Sequence, residues 1–422
     1  MKNNPHGGAQ VYVWAAAAIV SLGWGFITAL KPGHSQDLMI VNTWLRTWLW
    51  QGINPYYLPD TVVLVNYPPH AVVALSPLAL LPESWMAAAW ALLNLALAPA
   101  VGYLALRAPK PAAARREALL LCAMFLAWAG VRNGLATGQF TLLVLAFGLL
   151  ASLYEEKRPW IGGFFLALAL MKPHIGGAFL LWALLTKRWK MLLAACVVMC
   201  LGVALFSLRL GESPVGSVRA YLGVMQLQLS RAADPQRSME LRVVELRPLV
   251  SLFIQHDAWA NRVHQFVLVV LLACVAAAAF LKSRLSRAER DAVVLQLCCL
   301  WLLMSAFHNP YDNILLLPVF AALWATARAT HPSRSKEHQR TVLVWVLQLA
   351  MVVELPGLWW KLSQAARLSS FNWAGIFFSH FDRLLVLGLF IYLLNRVRLD
   401  WLAQRSSHGA GEMLAPASTT NS

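Results

Sequence analysis

The stretch WIGGFFLALALMKPHIGGAFLLWALLT, residues 160–186, decides how this chain is organised. It is apolar at both ends and broken in the middle by Met171-Lys172-Pro173-His174. One reading is a single long helix kinked at Pro173, with Lys172 snorkelling to an interface. The other is a pair of half-length helices of about 12 residues, each roughly 18 Å long. Their junction would then lie well inside a hydrocarbon core of roughly 30 Å, where irregular backbone is tolerated only if it lines a polar cavity. The two readings put every later segment on opposite sides, so the rest of the chain arbitrates between them.

Of the 422 residues, 59% are hydrophobic and 13% charged, against roughly 45–50% and about 25% in ordinary soluble chains. That composition excludes a soluble globular enzyme. The apolar surplus lies in blocks near 11–30, 84–106, 118–131, 139–153, 160–172, 174–186, 190–208, 263–281, 291–307, 312–328, 341–360 and 383–398. These read as about 12 membrane-spanning helices, the short halves included. The fold class is therefore an all-α integral membrane protein, with one polytopic domain over 1–405 and a disordered cytoplasmic tail over 406–422. The first block ends at Lys31-Pro32-Gly33 without a small-residue cleavage site and reads as an uncleaved span. All six cysteines fall inside apolar blocks, with no CxxC and no histidine at ligand spacing, which points to neither disulfides nor a metal site.

The charge settles the parity. Of 35 Lys and Arg, 21 fall on one set of alternating loops if the N-terminus is cytoplasmic and residues 160–186 are two halves. The opposite short loops carry only Lys31, Arg46, Arg132, Lys361 and Arg367. This is the positive-inside pattern, and a single kinked helix would move 14 basic residues to the wrong face. The net charge of +16 therefore reports orientation in the bilayer and gives no reason to expect a nucleic-acid partner.

The outer side holds the polar exceptions. In the first outer loop, 31–83, Asp37 opens a pattern with Leu38, Val41, Trp44, Leu45, Trp48 and Leu49 on one face, too short to span and suited to lying in the interface plane. Asp37 reads equally as a helix N-cap. Tyr56 and Tyr67 follow among prolines, and Asp60 is the alternative candidate carboxylate of that loop. Arg132 and Asn133 with Gln139 join two apolar blocks, as do His308, Asn309 and Asp312 further on. Caps of helical hairpins explain such residues as well as chemistry does. The stretch 209–262 reads as a large outer loop with seven arginines and five acids. Lys172 and His174, at the broken helix whose second half points its N-terminal end at them, outline an anion site. The ionisable exceptions gather toward one leaflet, and no internal repeat relates two halves as in many transporters. A one-sided cavity with carboxylate, lysine and histidine suits an enzyme working at the outer face.

In this order the motifs resemble the multi-spanning glycosyltransferases of the C type, specifically glycosyltransferase family 87. The pieces are Asp37-Leu38, Gly52-Ile53-Asn54-Pro55-Tyr56, Tyr67-Pro68-Pro69, Pro77-Leu78 with Leu81-Pro82, Asn133 with Gly138-Gln139, Gly162-Gly163 leading to Lys172-Pro173, and His308-Asn309-Pro310-Tyr311-Asp312. The resemblance implies a polyprenyl-phosphate sugar as donor, an extracytoplasmic active site at the plasma membrane, and a first-loop carboxylate as base, the position of Asp37. The hexose it implies is mannose, transferred to a lipid- or glycan-linked acceptor. Transfer from a phosphate carrier can be one inverting displacement in which Asp37 takes the acceptor hydroxyl's proton. Lys172, His174, His308 and Arg132 are then the expected contacts of the departing phosphate, and Asn133, Gln139, Tyr56, Tyr67, Asn309 and Asp312 the expected sugar contacts. No cofactor and no metal are expected. A transporter of lipid-linked glycans, and a glycan ligase or polymerase using a diphosphate-linked donor, are the alternatives.

Overall fold

The computed structural model describes residues 6–58, 65–107, 115–232, 246–251, 253–254, 256–281, 285–305, 309–328, 334–354 and 380–412. Among them the chain is helical, with no strand. In order come α1 (His6–Ala29), α2 (Gln36–Arg46), α3 (Pro69–Leu75), α4 (Glu83–Arg107), α5 (Arg115–Leu126), α6 (Ala129–Thr137), α7 (Thr141–Tyr154), α8 (Pro159–Ala169), α9 (Pro173–Leu185), α10 (Trp189–Leu210) and α11 (Pro214–Ala232). After these follow α12 (Arg247–Ser251), α13 (Asp257–Phe280), α14 (Arg287–Ser305), a 3₁₀ turn at Pro310–Leu316, α15 (Leu317–Arg328), α16 (Arg334–Val353) and α17 (Phe381–Glu412).

Among the described residues, four helices are individually long and apolar enough to cross a bilayer: Gln10–Ala29, Glu83–Leu106, Trp189–Leu210 and Ala258–Phe280. A fifth span arises if α5 and α6, bent by 54° to one another, are taken together. The expected dozen is thus not a dozen full-length rods, because several apolar helices stop after 10–17 residues. The long helices keep large side chains outward, such as Ile19 and Trp24 on α1, Leu201 and Leu208 on α10, and Phe266 and Val269 on α13. Rows of exposed apolar side chains on hydrophobic helices face lipid, and the chain is a membrane protein.

The break in residues 160–186 falls at Leu170-Met171-Lys172, between α8 and α9, each of which starts with a proline at its first helical position. The two halves form a hairpin. A Cβ on Gly163, near the start of α8, would lie 2.4 Å from the Ala194 side chain and the Met191 carbonyl at the start of α10. The end of α9, which leads directly into α10, is therefore level with the start of α8. Arg188, between α9 and α10, pairs with Glu155 just after α7 at 2.8 Å and with Asp291 of α14 at 2.5 Å, which pins the same end. At the apex a Cβ on Gly176 would meet the Ala169 carbonyl at 2.2 Å, so only glycine lets the two halves close. Small residues permit such approach where lipid supplies no hydrophobic drive between helices.

The first loop is folded onto the bundle. Leu38, Val41, Trp44, Leu45 and Trp48 form a core with Tyr56, Tyr67, Phe140, Met171 and Phe206. This corrects the expectation that the tryptophans of this segment meet the bilayer interface: Trp44 on α2 and Trp48 in the π-helical turn Thr47–Gln51 that follows it are buried inside the protein, while Trp50 is exposed. The Trp48 indole donates to the Phe206 carbonyl at 3.1 Å, and the Arg209 guanidinium to the Leu49 carbonyl at 2.8 Å, tying this loop to the end of α10. The stretch 209–262 is not a bare loop but carries α11 and α12. Likewise α17 continues to Glu412, into the tail expected to lack structure from residue 406; 413–422 lie outside the described residues.

Candidate functional site

The α8–α9 apex, the α6–α7 turn, the start of α2 and the Pro310–Leu316 turn converge on one polar cluster. Lys172 sits at the apex, 5% exposed. Its ammonium donates to Gln139 Oε1 at 3.0 Å, Thr141 Oγ at 2.7 Å and Asp312 Oδ1 at 2.9 Å. The Tyr311 ring lies beside it, 4.9 Å from Nζ to the centroid. Asp312, 1% exposed, also accepts from Thr141 at 2.9 Å and, through Oδ2, from the Asn309 backbone N–H at 3.3 Å, with His174 Nε2 at 3.6 Å. Asn309 turns its side-chain amide to the Tyr311 hydroxyl at 2.6 Å.

The Gln139 amide is the bridge. Its oxygen accepts from Lys172, which turns its NH₂ to donate to Asp37 Oδ2. Lys172 thus orients a side chain that in turn holds Asp37. The approach of α2 depends on Gly138, which ends α6 at φ +75° and whose Cβ would lie 2.7 Å from Leu38 Cβ. The Ser35 backbone N–H donates to the Ala136 carbonyl at 3.2 Å and closes the same joint. Asp37 is half-buried, and burial raises its carboxyl above the ordinary 3.8 against the opposing pull of the Gln139 hydrogen bond and the Lys172 charge.

Of the residues expected at the site, Asp37, Gln139, Lys172, His174, Asn309 and Asp312 come together. Two of them are paired with each other. An ammonium has three N–H donors, and all three of Lys172 are committed within the protein, so it has none to offer a phosphate without releasing a partner. Asp312 is the counter-ion of that lysine and the cap of the 3₁₀ turn, with little left for a sugar. Tyr56 gives its hydroxyl to the Tyr67 carbonyl at 2.7 Å, and Tyr67 packs edge-on against Phe140 beside Gln139. Arg132 and Asn133 lie on α6, where Asn133 donates to Glu354 Oε2 at 3.0 Å. His308 and Asp60 lie outside the described residues. Thr141 went unnoticed in the sequence, although a threonine opening an otherwise apolar helix is a visible signal, and Tyr311 was seen only as part of the His308–Asp312 motif.

Compared with known proteins, residues 65–306 match the model of glycosyltransferase family 87, more than half of the chain. The matched region contains Tyr67, Arg132, Asn133, Gln139, Lys172 and His174, while Asp37 and Asp312 lie beyond its ends. The chain matches none of the curated proteins and none of the solved structures compared with it. With several apolar helices and a family match of this extent, the chain belongs to glycosyltransferase family 87 and is a membrane glycosyltransferase.

Proposed function

We propose that the protein transfers a hexose, mannose in the first instance, from a polyprenyl-phosphate sugar to a lipid- or glycan-linked acceptor at the extracytoplasmic face of the plasma membrane. Asp37 is the general base. The observation that carries this reading is the chain of hydrogen bonds from Asp312 through Lys172 and Gln139 to Asp37. It fixes the carboxylate's orientation while leaving the residue half-exposed to a substrate. A carboxyl raised by burial is a stronger base than a solvated one. The acceptor oxygen attacks the anomeric carbon as Asp37 takes its proton, and the carrier leaves as a phosphate with inversion at carbon.

The leaving phosphate needs positive charge that Lys172, paired with Asp312, does not supply. His174, partly exposed beside Asp312 and in the first turn of α9, is assigned that contact, with Arg132 and His308. Both termini are cytoplasmic in this reading, and no divalent ion is required, so transfer should persist in EDTA. The test is transfer of radiolabelled sugar from polyprenyl-phosphate mannose to membrane lipids. Asp37→Asn should reduce it by roughly 10²–10⁴-fold. Retained transfer in that variant overturns the base assignment; transfer by the wild type only from diphosphate-linked donors overturns the donor class.

A further inference from the structure

Two phenols flank the Asp37 cluster with donors to spare. Tyr311, partly exposed, lays its ring 4.9 Å from the Lys172 ammonium, and its hydroxyl accepts from the Asn309 amide at 2.6 Å. An amide nitrogen only donates, so the phenol's own proton is not used there, and Tyr311 makes no other hydrogen bond among the described residues. Gly134 on α6 lies between this ring and the bridge to Asp37: a Cβ there would be 3.8 Å from Tyr311 Cβ and 3.9 Å from Gln139 Cβ. Tyr67 comes from the first outer loop and is wedged between Phe140 at 5.7 Å and Trp44 at 6.0 Å. Its hydroxyl has no hydrogen-bond partner among the described residues and is not sealed from solvent. Burial, and after it the charges of Asp37 and Asp312, raise the Tyr67 phenol far above its ordinary range and keep it protonated. Burial followed by the same two carboxylates does so for Tyr311. Both hydroxyls thus lie within electrostatic reach of Asp37 and Asp312.

We propose that Tyr311 and Tyr67 donate to hydroxyl oxygens of a sugar held against Asp37 and set which hexose is accepted there. Unspent O–H donors call for acceptor oxygens. Lys172 is cancelled by Asp312 at 2.9 Å and Asp37 adds a further negative charge, so a neutral ligand suits the phenols better than an anion. In an inverting displacement the phosphate leaves on the face opposite the base, and the groups around Asp37 meet the sugar and the acceptor. The contacted hydroxyl belongs to the transferred hexose or to a sugar of the acceptor. That the ligand is a sugar rests on the transferase reading above, whereas the unspent donors do not.

The test uses the full chain in nanodiscs with Tyr311→Phe and Tyr67→Phe, which keep both rings and remove only the hydroxyls. Transfer is measured from polyprenyl-phosphate mannose and from its singly deoxygenated analogues. Each variant should lose roughly three- to tenfold in kcat/KM with the parent donor, as for one hydrogen bond between neutral groups. With one deoxy donor that loss should disappear, because the oxygen the phenol meets is already gone. If the contacted hydroxyl is the acceptor's, every donor loses equally and the acceptor KM rises several-fold instead. Unchanged transfer in either variant, or an equal loss over all donors with the acceptor KM unaltered, overturns the proposal. Calorimetric titration with methyl α-D-mannopyranoside and with inorganic phosphate needs no turnover. Both variants should bind the glycoside several-fold more weakly and phosphate as the wild type does; a loss confined to phosphate overturns the sugar contact. A protein that transfers nothing yet binds the glycoside in this phenol-dependent way keeps the contact and loses only the transferase reading. Absence of both glycoside binding and transfer overturns the two together.

Discussion

At the scale of single residues, Lys172 shows how burial changes the meaning of a charge. A lysine at a broken membrane helix suggests an anion contact, but its nearest anion is Asp312 of the same chain at 2.9 Å, both side chains almost fully buried. Removing one partner of such a pair leaves an uncompensated charge, at a cost of about 3–5 kcal/mol. Lys172→Met should therefore unfold well below the wild type in detergent, and the double variant Lys172→Met/Asp312→Asn should recover most of the loss. An unchanged midpoint in the single variant would show that the ammonium is not the counter-ion. Asp37 behaves in the opposite sense. Because burial raises its folded carboxyl above 3.8, the proton it holds stabilises the folded state at low pH, and that contribution is lost as pH rises through the raised value. Asp37→Asn should accordingly be at least as stable as the wild type at pH 7 while inactive. The same shift predicts that kcat/KM of the wild type falls on acidification at a pH above 3.8, the point at which an ordinary aspartate would titrate.

At the scale of elements, the site depends on how closely α2 approaches the α6–α7 turn. Gly138 combines a left-handed backbone with a 2.7 Å approach of its absent Cβ to Leu38. Gly138→Val should push α2 outward and part Asp37 from Gln139. We expect a loss of transfer of at least about tenfold, since small misplacements at a reacting centre carry large rate costs. The expected loss of stability is the 1–3 kcal/mol typical of overpacking and backbone strain. If transfer survives with the stability loss alone, the joint positions nothing. The α8–α9 hairpin was visible in the sequence as two apolar halves around Lys172-Pro173, and the charge rule selected it. The burial of the α2 face was not, because an amphipathic helix has the same pattern whether its apolar side meets lipid or protein.

For the whole molecule, orientation is the statement to test. Lys31, between α1 and α2, lies at the Asp37 end, and Lys157 lies at the Glu155–Arg188 end, on the other side of α7. In a background without the six native cysteines, Lys31→Cys should react with a membrane-impermeant maleimide added outside intact cells, and Lys157→Cys only after lysis. The reverse pattern would invert the topology and put the Asp37 cluster on the cytoplasmic side. The many short helices follow from the same logic that places the site: a polar cluster inside a bundle of apolar helices requires chain ends and turns around it, and each must be sheltered by protein.

What the sequence determined by itself was set by local signals. Apolar runs, the break at Lys172-Pro173 and the bias of basic residues established a polytopic helical membrane protein, its family resemblance and a short roster of polar residues. The tertiary structure decided the pairings. Asp37 meets Gln139 across 102 positions and Lys172 meets Asp312 across 140. No periodicity or spacing carries such distances; packing of whole helices does.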